Sequence, residues 1–168
     1  MNPFRGTLAL GLAWLLIVGA VYLAFEGWRD REANPNRALT VSPAGEIVLQ
    51  RNRAGHFVAD GEINGRAVTF LLDTGATQVA LPMPLARDLN LKLGPPMSLQ
   101  TAAGTAVGYP VRLERVRLGH IEMRDLSGIV SERLDPELVL LGMNFLRRLE
   151  MTQRGEQLIL KALPPAPR

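Results

Sequence analysis

Phe70-Leu71-Leu72-Asp73-Thr74-Gly75-Ala76-Thr77 is an apolar strand ending that runs directly into an acid and a turn. Three consecutive apolar residues predict that the end of the strand is buried on both faces. An acid placed there is costly unless it is paired, hydrogen-bonded or protonated. Taken alone, Asp-Thr-Gly also reads as an ordinary turn, because Asp and Gly are common turn residues. The flanking sequence therefore has to decide between a turn and a site.

Working backwards, Asn64-Gly65 is the strongest short hairpin signal in the chain, since a type I′ turn wants φ > 0 at both central positions. It joins strand-like segments 56–63 and 66–72, and 46–51 reads as a strand before them. Working forwards, strands are expected over 79–81, 97–102, 107–118, 121–130, 138–141 and 157–161. Residues 84–91 can make about two helical turns, with Pro84 first and Leu85 and Leu89 on one face. A second short helix is expected over 143–149. Many short strands with only two small helices indicate a mostly-β barrel or sandwich. The run Val139-Leu140-Leu141-Gly142 faintly echoes Phe70-Leu71-Leu72, each leading into a glycine-containing turn and a short helix.

Asp-Thr-Gly on a buried strand has a specific chemical use. Two Asp carboxylates about 3 Å apart cannot both ionise and so share one proton. The ionised carboxylate can act as general base on a water while the protonated one polarises a carbonyl. Thr74 can donate and accept through its hydroxyl. Gly75 lets backbone approach the carboxylate closely, and its amide can donate to it.

The segment from Phe70 to Thr77, followed by Leu140-Leu141-Gly142-Met143-Asn144-Phe145-Leu146, resembles the two conserved elements of retropepsin-like aspartic proteases. The likeness covers roughly residues 55–161 and is greatest to bacterial, membrane-anchored, single-domain members. It implies a mostly-β, retropepsin-like (acid protease) closed barrel with one or two short helices. It further implies an endopeptidase in which Asp73 is the catalytic carboxylate and Thr74 interlocks two active-site loops. Gly75 would contact the carboxylate, with Ala76, Leu140, Leu141 and Gly142 supporting the loop. The family's flap, which covers substrate, falls on residues 101–108, with Ala102, Ala103, Gly104 and Thr105 at its centre; an ordinary Gly-rich hairpin is the alternative there. Only one Asp-Thr-Gly is present, so the resemblance requires a homodimer with the second Asp73 coming from another copy. A polypeptide is the implied substrate. A non-catalytic peptide-binding or dimerisation module on the same fold is the alternative function.

Two departures from the family are visible. Many viral members carry an acid where this chain has Thr77 and an arginine where it has Met143, so both members of an ion pair are missing together. Ala76 stands where pepsin-like enzymes have Ser or Thr, which removes a hydroxyl donor to the carboxylates and implies an activity optimum displaced from strong acid.

The rest of the chain bounds these readings. The 168 residues suffice for one ordinary domain with an appendage. The net charge is +3, and basic residues lie among acids without a basic block, so nucleic acid is not expected as a partner. There are no cysteines, and His56 and His120 are isolated, so neither a metal site nor a cofactor is expected. Residues 1–7 form a short stub. Leu8 to Phe25 carry no charge, and eighteen residues at helical rise span about 27 Å, enough for a transmembrane anchor. A signal peptide cleaved after Val18-Gly19-Ala20 is the alternative. Residues 26–45 read as a tether, 46–163 as the protease domain and 164–168 as a loose tail. Counting arginines alone would put the domain in the cytoplasm, since Arg5 precedes the span and Arg29, Arg31 and Arg37 follow it. The resemblance instead implies a single-pass protein of the bacterial inner membrane with a periplasmic domain.

Overall fold

The Asn64-Gly65 turn has φ of 50° and 85°, both positive as a type I′ hairpin requires. It joins β3 (Val58–Ile63) to β4 (Arg66–Leu72) with every residue of β3 in register, from Ile63 opposite Arg66 to Val58 opposite Leu71. The computed structural model describes residues 14–23, 27, 32–101 and 104–164. These fall into two units, 1–33 and 34–168.

In the larger unit, β4 runs parallel to β9 (Leu138–Leu141), with Leu71 beside Leu140 and Leu72 beside Leu141. Strand β5 (Val79–Pro82) follows, antiparallel to β9 at Ala80 and parallel to β8 (Ile121–Ser131). Strand β8 pairs with β7 (Gly104–Leu118), and β7 pairs with β6 (Met97–Thr101). Strand β3 then pairs back onto β7, Ile63 opposite Val116, so the seven-stranded sheet curls closed. Phe70, Leu81, Leu113, Leu118, Leu141 and Phe145 are fully buried inside it. A second sheet, in the order β1 (Thr40–Val41), β2 (Ile47–Gln50), β11 (Gln157–Ala162), β10 (Leu149–Arg154), packs Ile47, Leu49 and Leu160 into the same core.

The mostly-β expectation holds, with differences at several ends. Helix α1 (Met83–Asp88) stops short of the expected Leu91, and Asn90 takes a left-handed φ of 51° just beyond it. Helix α2 is only Met143–Leu146, and Leu149, expected in it, begins a strand instead. Leu149 to Arg154 pairs along its whole length with β11, and that ladder outweighs the local helical spacing. Strand β7 begins at Gly104, three residues before the expected start, because pairing with β6 carries the ladder through glycines that read locally as breakers.

The larger unit begins at Asn34, so residues 34–45, expected as tether, are attached to it. Asn36 is 3% exposed; its amide group donates to the Gln50 and Val58 carbonyls and accepts from the Gln50 amide. Asn34 is buried too and donates to Asp60 at 2.6 Å. Two buried amides with their hydrogen bonds met fasten this segment as a strand would.

In the smaller unit residues 14–23 are helical. The remainder of the expected span, 8–13 and 24–25, lies outside the described residues. Among the described residues no helix is long and apolar enough to cross a membrane.

Candidate active site

Asp73 leaves β4 where β9 also ends, and its amide donates to the Leu141 carbonyl at 3.2 Å. The turn then folds on itself: the Ala76 amide donates to the Asp73 carbonyl at 3.2 Å, and the Gly75 amide donates to Asp73 Oδ1 at 2.8 Å. A Cβ on Gly75 would lie 3.1 Å from that same oxygen. Glycine thus gives the carboxylate room as well as a donor. The Asp73 side chain is half-buried; Thr74 is exposed, and its hydroxyl has no hydrogen bond among the described residues.

A second loop crosses behind the first. The Met143 amide donates to the Ala76 carbonyl at 2.8 Å and the Asn144 amide to the Thr77 carbonyl at 3.0 Å. At the crossing, Gly142 is buried, and a Cβ there would meet the Gln78 carbonyl oxygen at 2.4 Å and the Ala76 carbonyl oxygen at 2.8 Å. Leu141 is fully buried and Leu140 half-buried beside β4. The structure thus brings Asp73, Gly75, Ala76, Leu140, Leu141 and Gly142 together in one place.

Asn144 was not singled out by the sequence reading, yet it holds the crossing. Its Oδ1 accepts from the Val79 amide at 3.1 Å, and its Nδ2 donates to the Ser127 carbonyl at 2.7 Å. One side chain therefore ties α2 to β5 and β8 just behind the Asp73 turn. The available signal was a lone amide inside an apolar run, which must find partners if buried. Asn144→Leu should lower stability by about 1–3 kcal/mol, since it strands the Val79 amide. Denaturant unfolding followed by circular dichroism checks this, and an unchanged midpoint would count against the clamp.

The other aspartates have structural partners. Asp60 accepts from Asn34 and Thr69, Asp88 pairs with Arg66, Asp125 with Arg112, and Asp135 accepts from the Glu137 amide. Asp30 lies outside the described residues. No group of three potential ligands converges to hold a metal ion among the described residues.

Of the residues expected in a flap, Ala102 and Ala103 lie outside the described residues. Gly104 and Thr105 begin β7 opposite Thr101 and Gln100. At the base of this hairpin a cavity of about 420 Å³ is lined by Met97, Ser98, Thr105, Val107, Glu132 and Arg133, and does not include Asp73.

Residues 59–148 match the family described as "gag-polyprotein putative aspartyl protease". A Sinorhizobium protein, "Uncharacterized protein in cobV 5'region", is 32% identical over 88% of this chain and 70% of its own length. "Uncharacterized protein RP867" of Rickettsia prowazekii (strain Madrid E) is 33% identical over 69% of this chain, which spans about half (51%) of that protein. Among solved structures, a retropepsin-like aspartic protease from Rickettsia conorii superposes with a TM-score of 0.57 at 32% identity, covering 69% of this chain and 88% of that one.

Proposed function

The chain belongs to the retropepsin-like aspartic proteases and is a peptidase; we propose that it is an endopeptidase whose active site assembles from two copies, each supplying one Asp73. The carrying observation is the state of that residue. Its carboxylate is half-buried at an outward turn, supported by its own Gly75 amide, and the other described aspartates are occupied elsewhere. A lone carboxylate lacks the shared proton that general acid–base hydrolysis needs. A two-fold axis beside Asp73 would supply the second carboxylate. The exposed Thr74, whose hydroxyl has no hydrogen bond among the described residues, would interlock with its symmetry mate.

In the assembled site one carboxylate takes a proton from water as the water attacks the scissile carbonyl. The other, protonated, donates to the carbonyl oxygen, and a proton then passes to the leaving amine. The β6–β7 hairpin is the candidate cover for a polypeptide substrate. The test is cleavage of a peptide library by the full-length chain across a concentration series. Specific activity that rises with protein concentration supports a shared site; cleavage at constant specific activity by a chain that stays monomeric would refute it. No cleavage at any concentration would favour a binding module.

We place the domain on a membrane, and in the periplasm, as part of the same reading. Supporting it, the helical residues 14–23 are apolar and highly exposed, with Trp14 at 65% and Leu16 at 75%. Surface of that kind suits lipid better than water. The full chain should stay in the membrane pellet after alkaline carbonate extraction, and a reporter fused after Lys161 should be active only in the periplasm. A reporter active only in the cytoplasm would refute the orientation.

A further inference from the structure

The face of the sheet that carries Asp73 can be followed outward from the acid. Leu71 lies two residues before it and therefore on the same side of β4. Leu140 pairs beside Leu71 on β9. Both leucines are half-buried and neither packs against the core, whereas Leu72, on the opposite side of β4, does. An apolar surface separate from the core thus runs up to the carboxylate.

The register of β3 against β4 fixes which residue stands across from Asp73. Val58 is opposite Leu71, and the Leu72 amide donates to the Phe57 carbonyl at 3.0 Å, so the pairing continues one step beyond β3. The next pair in that register is His56 and Asp73. Phe57 packs against the core as Leu72 does, which puts His56, like Asp73, on the other face. We propose that His56 is a specificity-determining residue of the peptidase, receiving an acidic side chain of the polypeptide substrate close to the scissile bond. The proposal rests on the reading of Asp73 as the catalytic carboxylate and names the kind of polypeptide taken.

The loop that presents His56 is built to hold it. The Asn52 amide donates to the His56 carbonyl at 2.7 Å, and Asn52 Oδ1 accepts from the His56 amide at 2.9 Å. Gly55, with φ of 87°, makes the turn between them, and its amide donates to the Asn52 carbonyl at 2.9 Å. At the base of the same hairpin, the buried Asn36 amide group bridges the Gln50 and Val58 carbonyls. The backbone is therefore fixed at tip and base, while His56 itself is exposed. A contact group held on a fixed backbone loses little freedom when it binds.

The chemistry of the surroundings favours a carboxylate as the ligand. Residues 70–79 and 138–146, which form the two crossing loops, contain no Lys, Arg or His. The hairpin tip beside them carries Arg53 and His56. The His56 ring has no hydrogen bond or ion pair among the described residues. A neutral imidazole can donate one hydrogen bond to a carboxylate, and an imidazolium adds an ion pair. Arg51, lower on the hairpin, is already engaged: it pairs with Glu156 at 3.7 Å and lies over the Phe57 ring.

The test uses the full-length chain in mild detergent and a peptide that it cleaves, remade with Glu or Gln at each position flanking the scissile bond. At one position or more, the Glu peptide should have a kcat/KM about tenfold above that of its Gln twin. His56→Gln should bring that ratio close to one, His56→Lys should preserve it, and His56→Glu should invert it. Each ratio is taken within one protein, so a variant that folds less well changes both peptides alike. A ratio that His56→Gln leaves unchanged would overturn the assignment, as would a wild type indifferent to Glu at every position. A ratio lost in Arg53→Gln and kept in His56→Gln would give the role to Arg53 and overturn it likewise. In each of these cases the role of Asp73 stands. Cleavage that survives Asp73→Asn would instead overturn the catalytic reading, and with it this proposal.

Discussion

Asp73→Asn is expected to lower kcat/KM for peptide hydrolysis by at least about 10³-fold while leaving the fold and the proposed dimer in place. The substitution is nearly isosteric, and the asparagine Oδ1 can still accept the Gly75 amide that now bonds the carboxylate at 2.8 Å. What it removes is the ionisable oxygen pair. An amide can neither take a proton from water nor share one with a second carboxylate. Circular dichroism and sedimentation should therefore match wild type while turnover is lost, and residual activity within about tenfold would end the catalytic assignment.

A shared site adds a signature that a one-chain enzyme would lack. When wild type and Asp73→Asn are mixed in equal amounts and allowed to exchange, random pairing leaves about a quarter of the dimers with two carboxylates. The activity of the wild-type chains should then fall to about half of their value alone. Further excess of the variant should suppress it further. An activity indifferent to added variant would contradict a site built from two copies.

Gly142→Ala should be among the most damaging single-methyl changes at the described glycines. Gly142 has φ −87° and ψ −178°, a backbone conformation open to any residue, so the cost does not come from lost glycine freedom. It is steric. The added Cβ would stand 2.4 Å from the Gln78 carbonyl oxygen and 2.8 Å from that of Ala76. Both are backbone atoms in the loop carrying Asp73 and cannot rotate away as a side-chain end could. The Ala76 carbonyl is also the acceptor of the Met143 amide, so separating the loops strains that bond too.

We expect a loss of about 2–4 kcal/mol together with a fall in kcat. The two tryptophans lie at or before residue 28, outside the larger unit, so far-UV circular dichroism in denaturant is the better probe than intrinsic fluorescence. Gly155→Ala makes a useful contrast. Its Cβ would meet nothing within 4 Å, and only its φ of 57° opposes the change, so a smaller loss of about 1 kcal/mol is expected. A Gly142→Ala protein within about 0.5 kcal/mol of wild type would refute the crossing.

Local signals carried far in this chain because several were nearly unambiguous. Asn64-Gly65 marked a hairpin whose two φ values could be anticipated from residue type. The segments 66–72 and 138–141 were bounded by turns and came out at those limits. The signals failed where a segment's state depends on a distant partner. Leu149 sat in a spacing compatible with helix, and only β11 and β2 beyond it make it a strand. Asn34 and Asn36 looked like tether residues because asparagine next to proline marks a turn, and nothing nearby reveals that Val58, Gln50 and Asp60 wait to receive them.

The sequence by itself determined that the domain is mostly β and that one acid, Asp73, stands at the end of an apolar strand in a turn suited to carboxylate chemistry. Those facts depend on residue type and on periods of two to four residues, which the chain displays directly. Only the tertiary structure decided that Gly142 is the point where two loops touch, that Asn144 ties three elements behind the acid, and that β10 is the outermost strand of its sheet among the described residues. Each of these is set by which strands become neighbours and in which register. That choice is made by long-range packing, and no local pattern encodes it.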